Sequence, residues 1–211
     1  MTHLHLSQHP LVITKLSQLR NAKRSPKEVR ELTRDLSILL GYEASYDLTV
    51  SEGATTQTAY GDYALREVTA RVGLVPVLRS GLGFVDGFLN IFPDAPVYHL
   101  GLYREKVSLQ PVEYYNKLPD QPNIDICYVL DPVIATGNTA VATVNLLKEW
   151  GLSGSQIKFV AAVGSEIGLA QLQEKHPDIH IYIAAIDETL DNTGYIVPGI
   201  GDSGDRLWNT V

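Results

Sequence analysis

Apolar positions change rhythm along this chain. Through residues 11–24 they recur at helical spacing, with Leu11, Val12, Leu16 and Leu19 on one side, which predicts a first helix. Ser25-Pro26 opens a second: Ser25 suits the N-cap, Pro26 the first helical position, and Glu28 completes a capping box. That helix is expected to close near Leu40, ahead of Gly41. Residues 43–62 are polar with several threonines and predict a hairpin or arm. Beyond residue 70 the pattern alternates. Short continuous apolar runs at 72–78, 97–103, 124–130, 158–163 and 181–186 are strand-like. Stretches at 84–91, 139–150 and near 168–175 are helical, and Gly151 closes the second of these. Residues 105–123 carry prolines and little periodicity, which predicts a long mobile loop. The polar start of the chain, with His3 and His5, is likewise assigned as mobile.

Apolar runs alternating with helices predict an α/β fold, a parallel sheet covered on both faces. Such sheets bind ligands at the carboxyl ends of their strands. Arg79, Arg104, Asp131 and Asp187 all follow directly on strand-like runs and are the first candidates.

Composition narrows the picture. The 211 residues, 45% of them hydrophobic, suit one domain with a continuous core. A net charge of −7 argues against a general nucleic-acid binder, although a few arginines still make one cleft positive. No apolar run is long enough for a membrane span and no signal peptide is recognisable, so a cytoplasmic setting is expected. Cys127 is the single cysteine and lies in an apolar run, as a core residue would. The six histidines show no ligand spacing, and His176 is expected to cap a helix before Pro177.

The most informative segment is Tyr128–Ala140. An apolar strand ends in Asp131, and Ala135-Thr136-Gly137-Asn138-Thr139 leads into a helix. Small residues there let several backbone N–H groups converge on a phosphate at the helix N-terminus, and the two threonine hydroxyls add donors. The bland alternative is a loop in which Asn138 or Thr139 merely caps the helix. The string Gly81-Leu-Gly-Phe-Val-Asp-Gly87 imitates a dinucleotide fingerprint, but its spacing is one residue too long. With Arg79 just ahead, it is better suited to wrapping a pyrophosphate with amides and one guanidinium. Arg104 begins the 105–123 segment, where a closing lid would shield a reactive centre from water. The segment 190–206 is dense in glycine yet keeps Tyr195, Ile196, Val197 and Ile200. Such backbone approaches a flat ligand closely.

These strings together resemble the uracil phosphoribosyltransferases, a branch of the type I phosphoribosyltransferases. The likeness is carried by residues 131–139, by Leu78–Gly83, by Pro111–Pro119 and by 190–206, and extends over most of the chain. Pro132 stands where most type I loops carry a second acid, as the uracil branch does; Asn138 departs from that branch, which usually has glycine. The resemblance implies one domain over 1–211. Its type I core spans about 70–187, flanked by helices, with a small hood from N- and C-terminal segments and base binding in about 188–211. It implies transfer of the phosphoribosyl group of PRPP to uracil, giving UMP and diphosphate in pyrimidine salvage. PRPP would be held by Arg79, Arg104, Asp131, Pro132, Val133, Ile134, Ala135, Thr136, Gly137, Asn138, Thr139 and Asp202. Uracil would be held by Tyr195, Ile196, Gly201, Asp202 and Ser203, with Arg79, Arg104 and Asp202 catalytic. It further implies Mg²⁺ held through PRPP and water, a homodimer or larger assembly, a possible GTP effector, and no nucleic-acid or membrane partner. The rival readings are a purine phosphoribosyltransferase, an RNA-binding relative that senses UMP, and a nicotinamide oxidoreductase.

Overall fold

Nine consecutive buried residues, Ile157–Ser165, form the spine of the molecule. A strand buried on both faces needs apolar cover on each side, and the neighbouring elements provide it. In the computed structural model, residues 3–104 and 111–210 are described. The first part of the chain forms β1 (His3–Leu6), α1 (Pro10–Leu19), α2 (Pro26–Ala44), β2 (Val50–Thr58) and β3 (Gly61–Val68). Then come β4 (Val72–Leu78), α3 (Leu82–Ile91), β5 (Leu100–Arg104), β6 (Pro111–Asn116), β7 (Ile126–Leu130) and β8 (Val133–Ile134). The last part holds α4 (Asn138–Trp150), β9 (Ile157–Ser165), α5 (Glu166–Lys175), β10 (His180–Asp187), β11 (Thr189–Leu190), β12 (Ile196–Val197) and α6 (Ser203–Trp208).

The main sheet runs in the order β1-β10-β9-β7-β4-β5-β6, with β8 also on β9. All of its pairings are parallel except β5 with β6. In the central strands β4, β7 and β9, neighbouring residues enter opposite cores over most of their length. Leu74, Tyr128 and Val160 face α1, α2 and α3, whereas Val75, Val129 and Phe159 face α4 and α5. The expected α/β architecture is therefore present.

Several local expectations are corrected. The first helix stops at Leu19, not near residue 24. The capping box at Ser25 and Glu28 forms, but α2 runs through Gly41 to Ala44. Gly41 sits under Phe88 and Ile91 of α3, so close packing keeps a helix going that local propensity would end. The 43–62 arm is a hairpin that extends to Val68. Residues 111–116, assigned to a mobile loop, form β6 against β5; residues 105–110 lie outside the described residues. His3 and His5 are not in a loose tail. They lie on β1, parallel to β10, with His3 stacked on His180 at 4.3 Å and His5 on Tyr182 at 4.4 Å. Burial, then the neighbouring His3, lowers the pKa of His5, which favours the neutral stacked ring. The sheet and its first core thus draw on residues ahead of 70.

Candidate active site

The carboxyl end of β7 holds the first group of candidate residues. Asp131 follows Leu130 and is 7% exposed. It accepts a hydrogen bond from Ser80 Oγ at 3.0 Å. Burial raises its pKa to about 7, outweighing the hydroxyl. Pro132 turns its carbonyl toward β9, accepting from the amides of Ala162 (2.9 Å) and Val163 (3.0 Å). The chain then climbs through β8 to Gly137, whose φ of +84° reverses it into α4. An L side chain is disfavoured at that angle. The pocket inside this turn, about 160 Å³, is lined by Thr136, Gly137, Thr139 and Ala140 among others. The first N–H groups of α4 have no intrahelical acceptor, so the pocket is built for an anion. Asn138 faces away from it: its Oδ1 accepts from Gln171 Nε2 at 2.7 Å.

Arg79 leaves the carboxyl end of β4. Its guanidinium donates to Asp205 Oδ1 (3.0 Å) and Thr210 Oγ1 (3.2 Å), and about half of the side chain is exposed. The Thr210 hydroxyl first, and Arg79 second, hold the Asp205 carboxyl below its ordinary range. In the string that follows Arg79, the amides from Gly81 onward are engaged within the chain. The amides of Gly81, Leu82, Gly83 and Phe84 donate to the carbonyls of Val77, Arg79, Ser80 and Gly81. Two of its glycines also allow close packing. A Cβ on Gly81 would lie 2.2 Å from the Leu130 carbonyl, and one on Gly87 would lie 1.7 Å from Ser37 Oγ of α2. Arg79 alone of this stretch presents a cation. The backbone of Arg104 closes β5 on the same sheet edge, and its side chain lies outside what is described.

The C-terminal segment forms the opposite wall. β11 and β12 pair as a short antiparallel hairpin, and Asp191 Oδ1 ties its turn by accepting from Thr193 N, Thr193 Oγ1 and Tyr195 N. Arg206 Nη1 donates to the carbonyls of Ile200 (2.5 Å) and Leu19 (2.8 Å), pinning the segment to the end of α1. Asp202 caps α6 by accepting from Asp205 N at 2.9 Å, and Tyr195 Oη donates to its other oxygen at 3.4 Å. Asp187, one of the sheet-edge candidates, supports this wall from behind. It holds both Nη atoms of Arg20 at 2.8 Å and accepts from Gly199 N at 2.9 Å. Burial pushes its pKa up, but those bonds outweigh it and leave the carboxyl lowered.

Arg79, Ser80, Asp131, Thr139, Tyr195 and Gly201–Gly204 thereby share one cleft of about 450 Å³. A larger hollow, about 830 Å³, lies at the other end of the sheet beneath the β2–β3 hairpin, between residues such as Tyr42, Val68 and Phe92. Its lining is mainly apolar, with no convergence of anion-binding groups, so the smaller cleft is the candidate site.

A family profile described as "Uracil phosphoribosyltransferase" matches residues 6–210. The uracil phosphoribosyltransferase of Roseiflexus sp. (strain RS-1) is 51% identical over 210 residues, covering 100% of both chains. That of Alkaliphilus oremlandii (strain OhILAs) is 45% identical over 211 residues, again covering 100% of each. The solved structure of the AQ2163 protein from Aquifex aeolicus superposes with a TM-score of 0.88 at 34% identity, over 97% of each chain. This chain belongs to the uracil phosphoribosyltransferase family. Of the residues to which uracil phosphoribosyltransferase resemblance pointed, Arg79, Asp131, Val133, Ala135, Thr139, Tyr195, Gly201, Asp202 and Ser203 line the main cleft. Ile134, Thr136 and Gly137 line the adjoining pocket. Pro132 and Ile196 are buried, Ile196 within the first core. Sequence reasoning missed Ser80, Asp205, Thr210 and Gln171. Ser80 was adjacent to a candidate and within reach of inference; the others meet the site only through the fold.

Proposed function

We propose that the chain transfers the 5-phosphoribosyl group of PRPP to N1 of uracil, releasing diphosphate and forming UMP. The observation that carries this reading is the meeting, in one cleft, of an anion pocket at the start of α4, the Arg79 guanidinium and the glycine-opened backbone at 199–204. In this reading the loop 135–139 takes the 5′-phosphate and Asp131 the ribose hydroxyls. Arg79 and Arg104 face the diphosphate, and the amides and carbonyls of the C-terminal segment take the edge of uracil. Main-chain groups matched to the N3–H and carbonyls of uracil would meet cytosine donor to donor, costing about 1–3 kcal/mol for each group left unpaired.

Positioning and charge stabilisation do most of the work when C1–O cleavage runs ahead of base attack. Among the described residues no His/Cys/Asp/Glu group forms a metal cage. Asp202, a hard carboxylate facing the cleft, fits a water-mediated contact to Mg²⁺ on the donor. The chemistry that ion supplies when bound is neutralisation of leaving-group charge. The test is conversion of labelled uracil to UMP. Product is expected with PRPP and Mg²⁺ and not without PRPP, and excess hypoxanthine should not compete. Absence of UMP under complete conditions would refute the activity. Adding GTP to the same assay tests the effector.

We further propose a homo-oligomer. All nine residues of β2 are exposed, as are Tyr60, Tyr63, Leu65 and Val68, and a lone two-stranded ribbon is marginal in water. A second copy covering the ribbon resolves that. Replacing residues 49–69 with a short linker should reduce the mass measured by light scattering to one chain; an unchanged mass would count against the ribbon as the contact. No described helix is long and apolar enough to cross a membrane, and we place the reaction in the cytoplasm.

A further inference from the structure

The phosphate pocket is held from below by one face of α5. Ser165, its N-cap, donates Oγ–H to the Ala135 carbonyl at 2.5 Å and accepts from Gly168 N at 2.9 Å. Gly168 lies so close that a Cβ there would sit 2.2 Å from the Ala135 carbonyl oxygen and 3.1 Å from Gly137 N. Gln171 donates from Nε2 to Asn138 Oδ1 at 2.7 Å. Residues 165, 168 and 171 are spaced three apart and share a face. The first two grip the limb of the loop that enters the turn; Gln171 grips the limb that leaves it.

That last contact solves a chemical problem. Asn138 is the first residue of α4, beside amides that await an anion. From this first helical position the carboxamide oxygen of an asparagine can fold back onto the free first-turn N–H groups. Left free, it competes with an incoming phosphate for the same donors. Gln171 occupies that oxygen and turns it toward α5, so the amides stay available. Gly137, which precedes Asn138, provides no side-chain cap of its own.

We propose that Gln171 is a positioning residue for the sugar donor: by sequestering the Asn138 carboxamide it keeps the N-terminus of α4 open to the 5′-phosphate. This rests on the reading that the loop 135–139 takes that phosphate.

Steady-state kinetics of the full-length protein test it. Gln171→Leu, close in size, is expected to raise KM for PRPP about five- to tenfold, the worth of one hydrogen bond. The turnover number and KM for uracil should stay within about twofold, the signature of lost ground-state binding. Removing the competing acceptor by Asn138→Gly in the Gln171→Leu background should reverse most of that increase. Gln171→Leu should add no further change once Asn138 is glycine. The proposal is overturned if Gln171→Leu leaves KM for PRPP unchanged, or if its penalty persists undiminished with Asn138→Gly. It is equally overturned if kcat and both KM values shift together with a fall in melting temperature, which marks a structural role. Thr139→Val separates this inference from the reading beneath it. If Thr139→Val leaves KM for PRPP unchanged, the phosphate assignment of the loop fails. If it raises that KM and Gln171→Leu does not, only the role of Gln171 fails.

Discussion

Arg79→Ala is expected to cut turnover by about a hundredfold or more at saturating PRPP and uracil, the scale of losing one group that acts on transition-state charge. The guanidinium stands at the carboxyl end of β4 on the wall of the cleft, and its partners there, Asp205 and Thr210, belong to the C-terminal segment. In the proposed reaction an arriving diphosphate offers it a denser anion than one carboxylate, and charge on the leaving group grows as the C1–O bond breaks. Because the Arg79–Asp205 pair is partly exposed, its loss should hardly move the melting temperature. Arg79→Lys should recover only part of the rate, since an ammonium lacks the planar fork that meets two phosphate oxygens at once. Arg104→Ala should show a comparable drop if its guanidinium shares the task. Near-normal turnover in either variant removes that arginine from the diphosphate site.

Asp131→Asn should produce an enzyme that is nearly inactive yet more stable. A carboxylate accepts from two ribose hydroxyls where an amide offers one acceptor atom, so about a hundredfold loss in kcat/KM for PRPP is expected. The stability effect follows from burial. The folded protein holds the proton of Asp131 up to about 7, well above the ordinary carboxylate range, with Ser80 donating to its side chain. Between about pH 4 and pH 7 the native state therefore binds more protons than the unfolded chain. Stability from this group is full below pH 4 and is lost as pH rises through 7. The asparagine variant escapes that loss. Its melting advantage over the parent should widen across this window and level off above it, reaching on the order of a few kcal/mol at pH 8. KM for PRPP in the parent should fall as pH rises from 6 to 8, because in the proposed binding mode the ionised form accepts the ribose hydroxyls. Equal melting curves of parent and variant at pH 5 and pH 8 would contradict the buried charge.

What could be read from the sequence was governed by contact range. Strand β4 is legible to the residue because its apolar run is continuous and ends in Arg79-Ser80-Gly81. The start of α2 was equally legible, since a capping box is a local device. Its end was not: Gly41 ordinarily argues for a stop, and only the pressure of Phe88 and Ile91 from α3 explains why the helix continues. β1 is not legible in the sequence because its histidines look polar until they stack on His180 and Tyr182, residues almost the whole chain away. The same division runs through the site. Asp131 and the turn at 135–139 announce themselves within a dozen residues, whereas the tie from Arg79 to Asp205 joins residues 126 apart. The glycines at 81–87 read locally as a ligand-binding pattern, and their close approach to Leu130 and Ser37 shows only in the folded chain.

The pairing of β1 with β10 makes handling of the two chain ends asymmetric. His3 aligns with His180, at the entry of a strand whose exit lies on the side of the candidate cleft, so a fusion partner joined ahead of it is expected on the far rim. Thr210 sits within hydrogen-bonding distance of Arg79, and a purification tag appended there would hang over the mouth of the cleft.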